Sequence, residues 1–190
     1  MMTDLAAARS NMVESQVRTA DVTDLRIQDA MMALPREDFA PPGKAYLAYT
    51  DTALEYAPGR ALLKPRDVAK ILQAAKPVVG ERVLAIAAPY AAAILTFIGA
   101  DVLRYDGTDL NAIPDGDFDL VVVEGAVGRA PEAWLKALAL GGRLVLVERD
   151  GPVGKACLYV RNADGIGRRV LFDATPPVLH GYEITAGFAF

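Results

Sequence analysis

Cys157 and His180, the one cysteine and one histidine of the chain, are the side chains best suited to nucleophilic or relay chemistry, and they lie in different segments. A Cys–His dyad is one reading of them; a packing or loop role for each is the simpler one. A single imidazole leaves no His pair for a metal site. Two short motifs fall short of known loops. Asp115-Gly-Asp-Phe-Asp119 begins like a calcium loop but lacks the glycine at its sixth position and the acid at its twelfth. Gly151-Pro-Val-Gly-Lys155 is too short for a phosphate-binding loop and has no Ser or Thr after its lysine. With 20 Lys+Arg against 24 Asp+Glu and a net charge of −4, the chain has no general attraction for nucleic acid or for anionic membranes. One cysteine cannot form an internal disulfide, which points to a reducing cytoplasm.

The elements that must carry any site come next. A length of 190 residues suits one domain, and 53% hydrophobic with 23% charged residues excludes a disordered tail. Met1–Ser10 carries Asp4 and Arg9 and no apolar run of the kind a secretory leader needs. Residues 1–76 read as a helical part. Apolar spacing predicts a helix over Leu5–Thr19, a second from Thr23 that Pro35 stops, a breaker cluster at Phe39–Gly43, an irregular aromatic stretch over Tyr46–Gly59, and a helix opened by Pro65. Residues 77–190 read as strand and helix in alternation. Strands are expected at Arg82–Ala87, Asp101–Tyr105, Phe118–Glu124 and Arg143–Glu148, and helices at Tyr90–Ile98 and Pro131–Leu140, the latter ended by Gly141-Gly142. Ala156–Arg161, Arg168–Phe172 and Gly187–Phe190 alternate like antiparallel strands, with a turn at Asn162–Gly165. Val83–Ala100 is uncharged for 18 residues, near the length of the shortest membrane span, but Pro89 interrupts it; a buried strand followed by a core helix explains it better. The pattern predicts one α/β domain with a mostly parallel sheet and antiparallel C-terminal strands.

Several segments in order resemble the protein-L-isoaspartate O-methyltransferase family. They are Asn11-Met-Val-Glu-Ser-Gln-Val-Arg18, Val22-Thr-Asp24, Leu34-Pro-Arg-Glu-Asp-Phe39, Tyr49-Thr-Asp51, Trp134-Leu135, Gly141-Gly-Arg-Leu-Val145 and Leu171-Phe-Asp-Ala174 with Gly181-Tyr-Glu183. The resemblance implies a Rossmann-like, S-adenosylmethionine-dependent methyltransferase fold with a helical N-terminal segment, and methyl transfer to the α-carboxylate of isoaspartate.

Three departures accompany it. The family's first strand runs into a glycine turn of the type V-L-E-I-G-T-G-S-G-Y; here Val83-Leu-Ala-Ile-Ala-Ala-Pro-Tyr90 puts Ala87 and Pro89 where glycines stand, though Tyr90 matches the motif tyrosine. Alanine disfavours positive φ and its Cβ obstructs close approach. In the substrate loop Gly59-Arg-Ala-Leu-Leu-Lys-Pro65, Leu63 stands at the family's serine position, while Arg60 and Lys64 either attract a carboxylate or are surface charges. Gly107–Asp117, 11 residues, is too short to add both a helix and a strand, so one strand–helix unit is missing. Asp106 is the candidate ribose acid, or else a turn aspartate before Gly107.

The expected cofactor is therefore none, or S-adenosylmethionine if the family activity is retained, with Ala87, Tyr90 and Asp106 as vestigial cofactor positions and no catalytic residue. The expected function is a non-catalytic relative acting as a binding or regulatory module; the alternative is an active carboxyl methyltransferase repairing isoaspartyl residues. Loss of the strand–helix unit also makes Asp101–Tyr105 a sheet edge. That edge invites a protein partner or a second copy, with Leu110 and Ile113 as the apolar centre of a homodimer, unless the loop Gly107–Pro114 covers it.

Overall fold

A computed structural model describes residues 4–184. Asp4 caps α1 (Leu5–Met12), its carboxylate accepting from the Ala7 N–H at 3.0 Å, and the chain stays helical to Ala20 through a π turn at Val13–Val17 and a 3-10 turn at Arg18–Ala20. α2 (Leu25–Ala33) is capped by Asp24, not by Thr23: the Asp24 carboxylate accepts from the Arg26 N–H at 3.0 Å. The helix stops at Leu34, held extended by the proline that follows. The stretch expected to be irregular ends in a hairpin. β1 (Leu54–Ala57) and β2 (Arg60–Leu62) pair antiparallel about Pro58-Gly59, with Gly59 at φ +65°. Pro65 begins α3 (Pro65–Ala75), which buries Val68, Ile71 and Leu72.

The uncharged run divides into β3 (Arg82–Ile86) and α4 (Pro89–Ile98), and no helix among the described residues is long and apolar enough to cross a membrane. Then come β4 (Asp101–Tyr105), β5 (Phe118–Val127), α5 (Glu132–Lys136), β6 (Leu138–Glu148), β7 (Gly154–Asn162) and β8 (Gly165–Ala174). The six strands lie in the order β4-β3-β5-β6-β7-β8; the first four are parallel and the last two antiparallel. The link after β4 adds no strand, as its 11 residues lead one to expect, and among the described residues β4 is an edge of the sheet.

One helix is shorter than expected. Leu138 pairs with Phe118, and this sheet pairing overrides the helical preference of Ala137–Leu140. Gly141-Gly142 therefore lies inside β6, where a Cβ on Gly142 would stand 2.6 Å from the Phe118 carbonyl oxygen. The expected strand Gly187–Phe190 lies outside the described residues.

Alternate residues of β5 feed two cores. Leu120 and Val122 join Val83, Ala85 and Val145 against the N-terminal helices, α3 and α4; Val121 and Val123 join Leu84, Ile86 and Leu144 on the other face. That face is covered by α5, by Leu110 of the link and by Leu179. Fully buried Trp134 donates its indole N–H to the Leu110 carbonyl at 2.7 Å. Leu110, expected at the centre of an edge-to-edge contact, is thus buried within its own chain.

Candidate functional site

Beyond Ile86 the chain turns into α4 over two residues, Ala87 and Ala88. Ala87 takes φ +47°, a left-handed conformation that costs an L-residue about 1–2 kcal/mol. Its N–H donates to the Tyr105 carbonyl at 3.0 Å, and its carbonyl accepts from the Tyr56 hydroxyl of β1 at 3.1 Å. Burial pushes the Tyr56 hydroxyl well above its usual pKa, so it stays a donor. Tyr90, in the first turn of α4, is fully buried with its ring edge-on to Phe39 at 5.3 Å and the Arg36 guanidinium 4.7 Å from its centre.

Beside this turn two charges are removed from water. Glu124 of β5 accepts from the Tyr90 N–H at 3.2 Å, and Arg36 donates to the Ala48 carbonyl at 2.8 Å and the Leu63 carbonyl at 2.6 Å. Both side chains are completely buried. Burial pushes the Glu124 carboxyl up to about 7, opposed by the charge of Arg36 and by the backbone N–H groups of Tyr90, Ala91 and Leu63. Burial also lowers Arg36 from the usual arginine value. Among the described residues Glu124 Oε1, Arg36 Nη1 and the Tyr90 hydroxyl have no hydrogen-bond partner, a concentration of orphaned polar atoms that a core normally excludes.

The residues singled out from the sequence divide between this cluster and its rim. Leu63 is buried and serves through its carbonyl, the acceptor for Arg36. Arg60 crosses from β2 to the end of β4, donating to the Asp106 carbonyl at 2.9 Å and to the Gly107 carbonyl. The Asp106 carboxylate is 4.0 Å from Arg60 and accepts from Arg104 at 2.9 Å. Lys64 flanks α3 and opposes the burial that raises Asp67. Cys157 contacts Glu148 and Arg168, its thiol pushed up to about 11 by burial, whereas His180 stands against Gly59. No dyad forms. No group of three or more metal-ligating side chains occurs among the described residues.

Sequence reasoning missed Arg36, Glu124 and Tyr56. The signal for Glu124 was its position: an acid directly after the apolar run Leu120–Val123. The C-terminal segment was missed too. Leu179 and Ala126 pair through N–H and carbonyl at 2.7 Å, and the Ala126 N–H donates to the Pro177 carbonyl at 2.9 Å, so this segment straps the carboxyl end of β5.

An S-adenosylmethionine-type cofactor would need a close-approach turn, a free acid for ribose hydroxyls and free N–H groups at the helix start. Here Tyr56 is on the turn, Arg60 and Arg104 are on the acid, and Glu124 is on the Tyr90 N–H. Pro89, at the first position of α4, has no N–H to offer. The residues present do not fit that group.

Comparison with known proteins places the chain. The family model described as Protein-L-isoaspartate(D-aspartate) O-methyltransferase (PCMT) matches residues 7–109, ending in the short link after β4. A protein-L-isoaspartate O-methyltransferase of Burkholderia cenocepacia (strain HI2424) is 36% identical, over 77% of this chain and 54% of the relative. One from Methylorubrum extorquens (strain PA1) is 34% identical over 94% of this chain and 91% of the relative. That alignment runs over 209 positions against a chain of 190, so the relative carries residues this chain lacks. The chain spans about half the length of the Burkholderia relatives it matches.

Two solved structures share the fold. A protein-L-isoaspartate O-methyltransferase superposes with a TM-score of 0.73 at 19% identity, over 92% of this chain and 66% of the other. A Plasmodium falciparum protein described as a beta-aspartate methyltransferase, in complex with S-adenosyl-L-homocysteine, gives 0.73 at 15% identity, over 94% and 99%. On the family match and on relatives above 30% identity across most of its length, the chain belongs to the protein-L-isoaspartate O-methyltransferase family.

Proposed function

We propose that this chain is a non-catalytic relative within its family, keeping the methyltransferase fold as a binding or regulatory module. The observation that carries this reading is the occupation of the crevice by the chain's own side chains: Tyr56 on the Ala87 carbonyl, Arg60 on the Asp106 and Gly107 carbonyls, and Glu124 on the Tyr90 N–H. A serine-position leucine buried in the core supports it, since Leu63 offers a substrate carboxylate no hydroxyl. A reducing cytoplasm is in keeping with one buried free thiol. The module's contact surface, in this reading, is the β4 edge, where Leu103 remains 42% exposed and another protein or a second copy pairs.

The second reading is an active S-adenosylmethionine-dependent protein carboxyl methyltransferase. The names of the Burkholderia and Methylorubrum relatives and the S-adenosyl-L-homocysteine complex of the Plasmodium neighbour favour it. Calorimetric titration of the full chain with S-adenosyl-L-homocysteine separates the two. Heat absent at high ligand concentration is the expected result; low-micromolar binding would overturn the non-catalytic reading.

A further inference from the structure

We propose that Glu124 is an internal ligand: its carboxylate fills an anion site at the start of α4, a site that takes a small free carboxylate once the side chain is removed. The proposal rests on the non-catalytic reading of the crevice.

Helix α4 is ten residues long, and its first N–H groups point out of the helix with no carbonyl partner of their own. Such a terminus favours an anion through its free donors and the helix dipole. Pro89 contributes no N–H, which leaves Tyr90 and Ala91 as the first donors of the turn. Glu124 Oε2 accepts from Tyr90 at 3.2 Å, and the Ala91 and Leu63 N–H groups lie close enough to favour its ionised form. The carboxylate thus joins two separate pieces, the start of α4 and the loop before α3, and the charge of Arg36 from the turn after α2 acts on it.

A second observation marks the place as a ligand site and not as ordinary core. Three fully buried side chains, Glu124, Arg36 and Tyr90, each leave one polar atom without a partner among the described residues. Arg36 Nη1 is a donor, Glu124 Oε1 an acceptor, and the Tyr90 hydroxyl either. A side chain tethered to β5 satisfies the helix start but does not saturate the donors around it. A free carboxylate, placed without that tether, is the chemistry these donors select.

The test uses the full chain with Glu124→Ala and thermal unfolding in sodium formate, against sodium chloride at equal ionic strength. The variant is expected to melt below the wild type and to regain about 2–4 °C or more in formate, saturably. Wild type and Glu124→Gln are expected to gain no more from formate than from chloride. An alanine variant that gains nothing over chloride, or a wild type that gains as much as the variant, overturns the proposal. If the alanine variant does not fold, the wild type carries the test by nuclear magnetic resonance across about pH 5–9. The Tyr90 amide proton is expected to follow the Glu124 carboxyl on one titration curve, absent in Glu124→Gln; a flat trace overturns the proposal. Binding of S-adenosyl-L-homocysteine by the wild type sinks the non-catalytic reading by a separate measurement, so the two failures are told apart.

Discussion

Two glutamates on neighbouring strands of one sheet behave in opposite ways. Glu148, at the end of β6, is partly buried and accepts from the Ala130 N–H at 3.0 Å, the Tyr159 hydroxyl at 2.5 Å and Arg168 at 2.7 Å. Burial would raise its pKa, but these bonds outweigh burial and hold it below the usual carboxylate range. Glu124 on β5 is wholly buried, with one backbone bond at 3.2 Å, the Ala91 and Leu63 N–H groups nearby and one oxygen unpartnered among the described residues, and burial outweighs these donors and raises it. The difference lies in donors: the β6–β8 end of the sheet supplies a full set to its acid, and the β3–β5 end does not. Polar groups at the first end complete one another. Those at the second leave Glu124 Oε1, Arg36 Nη1 and the Tyr90 hydroxyl unpartnered among the described residues.

The largest effect should come from cutting each acid's cation. Arg36→Ala removes the charge that opposes burial of Glu124, so the acid takes up a proton; it also strands the Ala48 and Leu63 carbonyls and opens a cavity, so denaturant unfolding should show a loss of about 3–5 kcal/mol. Arg168→Ala removes a partner that is itself 42% exposed, and solvent screening should limit the loss to about 1 kcal/mol. Equal losses would mean that the contrast between the two ends is geometric only.

Titration should separate the acids next. Glu124 has a folded pKa of about 7, above its unfolded value. The folded state therefore holds the proton longer, and stability falls as pH rises from the unfolded pKa through about 7, by about 3 kcal/mol in all. Arg36, Tyr90 and Tyr56 are the charged and titratable groups that face it from the other elements. Glu148 is depressed, so its contribution is present above its unfolded pKa and is lost as pH falls through the folded one. Glu124→Gln, which resembles the protonated acid in shape, should flatten the slope up to neutrality and leave the acid limb in place. A slope near neutrality that survives the substitution would assign it to another group.

The same contrast explains what could be read beforehand. β3 and β5 were legible because a strand buried on both faces must be an unbroken apolar run, and Pro65 marked its helix because its missing N–H costs nothing there. β1 and β2 were not, because strands of four and three residues carry too little alternation, although Pro58-Gly59 offered the turn signal. Ala137–Leu140 misled because its helical preference is local and its pairing with β5 is not. The departures at Ala87, Pro89 and Leu63 were visible as residue types. The gathering of Arg36 and Glu124 into one buried cluster was not, since no spacing rule joins a turn after α2 to the middle of β5.

A smaller effect concerns backbone strain in the turn. Ala87→Gly removes the penalty of φ +47° but loosens the unfolded chain, and the two terms differ by less than about 1 kcal/mol. A small rise in the denaturant midpoint is expected, with no gain in S-adenosyl-L-homocysteine binding, even with Pro89→Gly added, because Tyr56, Arg60 and Glu124 stay in place. Binding restored by the two glycines would show that the turn alone had closed the crevice.

The smallest change in stability should come from Leu103→Lys, and it bears on the two ends of the sheet as edges. Among the described residues β8, ten residues long, is an edge that carries Arg168 and Arg169 amid exposed Ile166 and Val170. Adjacent like charges on a strand oppose pairing with a second copy of it. β4 has five residues, Asp101 and Arg104 as its charges, and Leu103 exposed between Val102 and Arg104. If β4 is the surface where two copies meet, light scattering should give a dimer mass for the wild type and a monomer mass for Leu103→Lys, with stability of the monomer changed by no more than about 0.5 kcal/mol. With Leu110 turned into the α5 face, this contact rests on strand pairing and on Leu103, so one lysine should suffice to break it. A dimer unmoved by that lysine locates the contact elsewhere, and a wild type that stays monomeric at high concentration leaves the β4 edge to a different protein.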